Sequence, residues 1–462
     1  MLIPLPGWRE PLDILPIFAG EPMTALLLSA GPAGAHGDLS RWSILCSAPF
    51  DVLRWSVGGE GDPFLMLERA VAAHAVQPEA GAPFTGGAIG YLGYEVGRTV
   101  ERIRIPPAHA GGGLGLPDML FGLYAWAIIW DHRMSTWSIV STGAPEKGGP
   151  RESLARHDAE RVRRRLQGAE AARGAERLRG AAAGEARILG SSVSRKDYLE
   201  MVRQARLLIE QGEIYQVNLS QRLELPAPPR PIELPGALAT YSPAPCSSWI
   251  DAGDFQIASA SPERFVSLRG TRAESRPIKG TRPRRADPAE DEAQLAELIR
   301  SPKDRAENVM IVDLVRNDLG RVCRPGTITA REICRPESYA SVHHLVSIVT
   351  GELAESEGRA SLLRALFPGG SMTGAPKVRA MQAIADLEPV PRGVYSGALG
   401  YLSFCGALDL SIVIRTAIVA GGRTWLSVGG GVVADSDPEE EYQETMHKAV
   451  SVLRALRACG AG

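Results

Sequence analysis

Leu408-Asp409-Leu410-Ser411-Ile412-Val413-Ile414-Arg415-Thr416 alternates apolar and polar side chains at its start, the pattern of a strand with one buried face. The apolar run continues, so a strand is predicted over 408–418. A second strand is predicted over 424–428, with no helix between the two, and only then an amphipathic helix over 438–456. Strand followed directly by strand breaks the βαβ rhythm of a doubly wound sheet. The same irregular succession runs back to about residue 191, with helices predicted over 195–211, 287–300 and 303–318 and a strand over 255–258. The fold class is α+β.

Upstream the character changes twice. Residues 1–145 are rich in Gly and Pro, with short apolar runs at Trp42–Cys46 and Met119–Trp130, and read as strands joined by turns. Residues 146–190 are dominated by Ala, Arg, Glu and Gly, and read as an exposed helix over 151–167 followed by a loose connector. The expected organisation is therefore an N-terminal region (1–145), a variable connector (146–190) and a chemistry-bearing region (191–462).

The chain has 462 residues, and 51 Lys+Arg against 53 Asp+Glu leave a net charge of −2. That balance speaks against a nucleic-acid or membrane-surface partner, which needs a basic field. The six cysteines are scattered without a C-x-x-C pair, which disfavours a disulfide framework or structural zinc. The N-terminus is broken by Pro4, Pro6, Pro11 and Pro16 and does not read as a signal peptide, and Met119–Trp130 is too short to span a bilayer. A soluble, cytoplasmic protein is expected.

Only six of the 51 basic residues are lysines, at 147, 196, 279, 303, 377 and 448. A guanidinium keeps its proton, whereas an ammonium can surrender one, so each lysine poses the question of why Arg would not serve. Lys279 lies among arginines in Arg276-Pro277-Ile278-Lys279-Gly280-Thr281-Arg282-Pro283-Arg284-Arg285. At an ordinary pKa about one lysine in 2,500 is neutral at pH 7, and making Lys279 a nucleophile requires roughly 4.6 kcal/mol against its ammonium form. Neighbouring arginines and a bound cation would act in that direction.

Two acidic pairs, Asp304/Glu307 and Glu441/Glu444, sit at i, i+3 on predicted helices and share a face. Carboxylates without nearby thiols suit a hard cation such as Mg²⁺; equally, acids in a first turn satisfy the helix dipole. Pro368–Lys377 and Ser427–Gly431 are glycine-rich turns, suited either to a carboxylated small molecule or to tight turning alone. Arg415, ending an apolar run, either reaches solvent or clamps a buried anion. His344, beside Leu345 and Val346, reads as a core histidine on its own evidence.

These segments together resemble the chorismate-binding enzyme family, over nearly the whole chain. The resemblance is carried by Ser259–Phe265, Pro277–Thr281, Glu307–Leu314, Phe367–Lys377 and Gly429–Lys448 in that order. It implies a large antiparallel β-sandwich flanked by helices. It implies Mg²⁺ held by Glu307 and Glu444, with Asp304 and Glu441 as outer partners. Chorismate is then bound by Gly280, Thr281, Tyr395, Arg415, Gly429, Gly430, Gly431 and Lys448, with Ser371 and His344 near the ring.

Within the family, anthranilate-forming members carry Ala in the Pro-Ile-x-Gly-Thr motif and aminodeoxychorismate-forming members carry Lys, here Lys279. Isochorismate-forming members place a lysine base where Gln216 stands. The resemblance thus implies a component I type subunit that aminates chorismate at C4, giving 4-amino-4-deoxychorismate for 4-aminobenzoate and folate. Lys279 would be the covalent nucleophile, Glu263 the general acid, with His344 as a further catalytic group. No glutaminase-type cysteine setting is visible, so ammonia is expected from a separate glutamine amidotransferase subunit. Related enzymes hold tryptophan near an L-L-x-S-like segment. Ser29, Arg41, Trp42, Ser43 and Ile44, with Pro245, Cys246 and Ser247 opposite, resemble that site, but its acidic residue is missing. The rival readings are an anthranilate synthase large subunit and a non-catalytic anion-binding or scaffolding protein using 276–285.

Overall fold

The alternation at Leu408 is a strand only as far as Ile412. In the computed structural model, which describes residues 1–30, 37–78, 82–106, 109, 111–168, 184–339 and 342–461, Leu408–Ile412 belongs to a ten-stranded sheet. Val413–Arg415 then carry the chain across, and Thr416–Ala420 lies in a second, twelve-stranded sheet. Met119–Trp130 behaves likewise. Met119–Tyr124 is in the ten-stranded sheet and Trp126–Asp131 in the other. Each run was expected as one strand. The break was invisible because Val413, Ile414 and Ala125 at the crossings are as apolar as the strands they follow, so the pattern does not register a change of sheet.

Every paired strand is antiparallel, and the two sheets face one another across a shared core that includes Ile44, Ile89, Tyr91, Tyr124, Ile257 and Leu399. Helices cover the outer faces. Pro63–Ala72, Pro302–Gly320 and Arg359–Leu366 lie on the ten-stranded sheet, and Gly149–Gly168, Leu234–Tyr241 and Pro438–Ala458 on the other. The α+β antiparallel sandwich flanked by helices is therefore what the chain adopts. Strands from either side of 146–190 are neighbours in both sheets: Ala25–Leu28 pairs with Cys246–Asp251, and Gly87–Leu92 with Ala398–Ser403. The predicted helix over 151–167 is observed as Gly149–Gly168; most of the loose connector after it lies outside the described residues.

Two helix starts fix where the acidic pairs stand. Asp437 caps Pro438–Ala458, accepting from the Glu439 and Glu440 N–H groups at 2.9 and 3.1 Å. Ser301 caps Pro302–Gly320 through the Asp304 N–H at 3.2 Å. Both helices have Pro at their first turn, so their orphan donors are few and their starting points well defined. The six cysteines are unpaired. Among the described residues no helix is long and apolar enough to cross a membrane.

Candidate active site

Lys279 lies on Ile278–Pro283, the strand at one end of the ten-stranded sheet. The pairing with Val342–Glu352 slips between Lys279 and Thr281. Gly280 takes φ +75° there, and a Cβ on it would sit 2.9 Å from Leu298 Cδ1 and 3.0 Å from Asp304 Cβ. Glycine is what allows this bulge, and a bulge re-aims the preceding side chain. The Lys279 amine comes within 3.5 Å of where a Gly431 Cβ would stand.

Burial is the main force lowering the Lys279 pKa, and Lys448 adds to it; Glu307, Glu263 and Glu444 act the other way. The expectation that the surrounding arginines would do this is corrected. Their charges are engaged elsewhere: Arg276 with Glu337 at 2.6 Å, Arg282 with Glu297 at 2.8 Å and Asp304 at 3.1 Å, and Arg284 with Asp291 at 2.8 Å. The same pairings leave little free charge in 276–285 for the anion-binding scaffold reading.

Glu263 is 6% exposed, and burial pushes its carboxyl up to about 7. Hydrogen bonds from Ser371 and from the Ile278 N–H, together with Lys279, hold it from rising further. A carboxyl and an amine are thus both drawn toward neutrality in one place, the condition for an acid and a nucleophile to work side by side. Ser371 reaches Glu263 from the short helical turn Gly370–Thr373. Lys377 closes the same segment by pairing with Asp318 at 2.6 Å and donating to the Leu366 carbonyl at 3.0 Å, a structural clasp.

His344 is buried opposite Thr281. Its Nδ1 lies 3.0 Å from Thr281 Oγ1 and 3.1 Å from the Gly280 carbonyl, while Nε2 has no partner. A ring nitrogen against a carbonyl must carry the proton, so Nε2 presents a lone pair. Burial, with Arg415 adding, lowers this ring to about 3, so it is neutral at physiological pH. Arg415 has φ +50°, a costly conformation for a side-chain-bearing residue, and no ion-pair partner among the described residues. A half-buried guanidinium held under strain without an acid is suited to an incoming carboxylate.

Ser427–Gly431 was expected to be a turn following a strand. It is the interior of the strand Arg423–Val432, paired along Gln216–Pro226. The three glycines let neighbouring side chains approach the strand closely on both faces. Side chains at 429, 430 and 431 would collide respectively with Tyr395 Oη at 2.9 Å, Glu441 Oε2 at 3.0 Å and Gln216 Nε2 at 2.5 Å. Strand pairing and so close an approach of side chains over one stretch demand glycine. Tyr395 is buried and its hydroxyl is pushed up to about 12, so it stays protonated. Lys448 bonds Glu444 at 2.6 Å and the Gly429 carbonyl at 3.0 Å, tying the last helix to this strand.

The acidic residues gather above the glycines. Glu441 is 5% exposed, with Oε1 accepting from Ser436 at 2.6 Å and Oε2 without a partner. Burial and then Glu444 raise it to about 7. Burial also raises Glu307, whereas Lys448 holds Glu444 down. Asp304 is engaged with Arg282. Among the described residues no three of His, Cys, Asp and Glu form a closed metal cluster by themselves. The donors are all carboxylate oxygens, and one is buried and unpartnered. That set fits a hard cation whose remaining positions are filled by water and substrate.

Of the tryptophan-site residues, Ser29, Trp42, Ile44, Pro245, Cys246 and Ser247 line a cavity of about 70 Å³, well below the roughly 300 Å³ where small-molecule sites begin. Arg41 instead pairs with Asp131 at 2.8 Å, and Ser43 Oγ bonds the Ser29 N–H and His132. Asp38 and Asp409 also line the cavity, acids that the local segment did not advertise. A larger cavity of about 470 Å³ lies beside residues 388–394 and contains none of the converging chemistry-bearing groups. Sequence reasoning missed Asn218, which lies with Gln216 against the glycine strand. The alternation Gln216, Asn218, Ser220 on a strand was the available signal.

A sandwich with acid, amine, guanidinium and carboxylate cluster around a glycine strand is the setting of a small-molecule enzyme acting on an anionic substrate. The sequence pattern of the chorismate binding enzyme family matches residues 46–454, and the chain belongs to that family. It is 43% identical over 398 residues to aminodeoxychorismate synthase component 1 of Salmonella typhimurium, covering 86% of this chain and 82% of that protein. It is 41% identical over 403 residues to anthranilate synthase component 1 of Thermus thermophilus, covering 87% and 84%. The solved structure of anthranilate synthase component I from Streptococcus pneumoniae TIGR4 superimposes with a TM-score of 0.77 at 32% identity, covering 89% and 92%.

Proposed function

We propose that this chain is the chorismate-aminating subunit of an aminodeoxychorismate synthase, converting chorismate and ammonia to 4-amino-4-deoxychorismate for 4-aminobenzoate and folate. The observation that carries it is Lys279, an amine with a lowered pKa beside Glu263, a carboxyl near 7. Overall similarity does not separate this reading from anthranilate synthase, since both kinds of relative stand near 40% identity; the lysine does.

Arg415 and the glycine strand bind and orient chorismate, with Tyr395 and Lys448 beside it; orientation of this kind supplies the entropic part of catalysis. Glu307, Glu444 and Glu441 would hold Mg²⁺, with Asp304 behind them. The ion supplies charge neutralisation for a substrate carboxylate. Neutral Lys279 attacks C2, both conjugated ring double bonds shift (C1=C2 to C1=C6 and C5=C6 to C4=C5), and the C4–O bond breaks as Glu263 gives its proton to the leaving hydroxyl. Ammonia then forms the new bond at C4, both double bonds shift back, and the C2–N bond breaks to return the Lys279 amine. Glu263 recovers a proton from the attacking nitrogen. Neutral His344 offers Nε2 as an acceptor and neither adds nor removes charge.

Ammonia is supplied by a glutamine amidotransferase partner, and free ammonium replaces it in vitro. Incubation with chorismate alone, followed by intact-mass measurement, should trap an adduct on wild type and none on Lys279→Ala. Unchanged amination by that variant, or anthranilate as the wild-type product, overturns the proposal.

A further inference from the structure

The cavity of about 470 Å³ beside residues 388–394 has no part in the reaction proposed above. Its walls are largely apolar, with Leu114, Leu116, Met381, Ile384 and Val390 among them, and Glu95 and Asp118, both half-buried, also line it. Sites for small molecules run from roughly 300 to 1,000 Å³ and are apolar, with a few polar groups that fix orientation. This cavity has that size and that lining, and it shares no residue with the one at Ser29 and Trp42.

The carboxyls give it a chemical preference. Glu95 Oε1 accepts from the Arg392 N–H at 2.9 Å and Oε2 from the Gly393 N–H at 2.8 Å, which leaves each oxygen a lone pair. Burial and then Asp118 raise Glu95 to about 7, and the groups that pull it down are backbone N–H donors. The cations nearby are engaged otherwise. Arg392 is forked onto Glu388 at 2.9 and 2.6 Å. Arg222 donates to the Gly112 and Pro391 carbonyls at 2.5 and 3.4 Å. Arg98 is exposed and acts on Asp118, and His109 meets the Glu388 carbonyl at 2.7 Å. An apolar cavity lined by a carboxyl without a cation of its own suits a ligand that brings one.

Arg392 joins this cavity to the catalytic residues. Its backbone N–H holds Glu95, while its guanidinium donates to the Met372 and Asn218 carbonyls, each at 2.7 Å. Met372 follows Ser371, which bonds Glu263, and Asn218 lies against Gly429. A ligand that draws on Glu95 therefore pulls on a residue fastened to both.

We propose that the cavity is an effector site for an apolar molecule carrying one ammonium or amidinium group, coupled to the catalytic site through Arg392. Binding there needs no turnover, and so goes beyond the aminating function proposed above.

The experiment is calorimetry on the full chain with three probes of one shape: 1-naphthylmethylammonium, the neutral 1-naphthylmethanol and the anionic 1-naphthoate. The ammonium should bind with a stoichiometry of one and about tenfold tighter than the alcohol, and naphthoate should not bind. Glu95→Gln should bring the ammonium down to the affinity of the alcohol. Val390→Trp fills the cavity from a half-buried wall position, and should abolish binding while chorismate turnover is retained. If Glu95→Gln does not fold, the three probes on wild type and on Val390→Trp decide. Saturating chorismate with Mg²⁺ should change the Kd of the ammonium about threefold or more, and the ammonium should change the chorismate Kd by the same factor. No binding of the ammonium, equal binding of the alcohol, binding that persists in Val390→Trp, or a Kd indifferent to chorismate overturns the inference. Failure of the aminating function is distinct: wild type then forms no aminated product, whatever the probes do.

Discussion

Glu263→Gln should produce a protein that is less active and, at alkaline pH, more stable. Glutamine keeps an oxygen to accept from Ser371 and the Ile278 N–H, so the geometry around residue 263 is retained. The folded-state carboxyl is raised from 4.5 to about 7, chiefly by burial. Below the unfolded value both states are protonated and the group contributes nothing. As pH rises from 4.5 to 7 the unfolded chain ionises first, and wild-type stability falls. Above 7 the full cost is present, and a rise of that size corresponds to about 3 kcal/mol. Spread over 462 residues, an unfolding entropy of about 2.1 cal/mol/K per residue makes this about 3 °C in Tm. The variant and wild type should therefore melt together near pH 4.5 and diverge by about 3 °C at pH 8, the variant higher. Glu95 and Glu441, also raised to about 7, are common to both proteins and cancel in the difference. Scanning calorimetry across pH gives the stability arm. Chorismate turnover at saturating ammonium gives the other, expected to fall 10²–10⁴-fold with loss of a general acid. A variant no more stable than wild type at pH 8, or as active, refutes the placement of a protonatable, catalytic carboxyl at 263.

Ser371→Ala removes a bond that favours the ionised Glu263, so the alkaline limb of kcat/KM should move up by about one pH unit. Arg415→Lys keeps the charge but loses the bidentate fork, and should raise the chorismate KM roughly tenfold to a hundredfold with little change in the ammonium KM. Lys377→Met leaves Asp318 buried and alone; denaturant unfolding should show a loss of about 3–5 kcal/mol, with the chorismate KM unchanged. Chelation should abolish chorismate binding seen by calorimetry, and added Mg²⁺ should restore it; binding that persists in chelator removes the cation from the proposal.

Much of the site was legible because its chemistry is written in residue types that have few substitutes. A lysine in an arginine-rich chain, paired carboxylates at helical spacing, and glycines in runs each announce a constraint before any fold is known. The helices were legible for a local reason too: Asp437 and Ser301 cap where the sequence places them, and Pro follows at once. What remained hidden was non-local. Val413–Arg415 and Ala125 carry the chain between sheets, and no periodicity marks crossings that begin with Val413, Ile414 and Ala125, apolar like the strands before them. The three glycines read as a turn, because nothing local says that strand pairing continues through them.

The sequence by itself determined the α+β class, the short list of reactive groups and the choice of lysine at 279. These depend on side-chain chemistry and on periodicities of a few residues. Only the tertiary structure decided what those groups are. Burial, with Lys448 adding to it, lowers the Lys279 pKa against the pull of Glu307 and Glu263; the neighbouring arginines are not the cause. The arginines are spent on acids up to 61 residues away in sequence. Gln216 Nε2 and Asn218 Oδ1 come to face Gly431 and Gly429 only because Gln216–Pro226 pairs with the glycine strand. Desolvation and the absence of a partner are properties of a packed neighbourhood, and a neighbourhood assembled from distant segments exists only after the chain has folded.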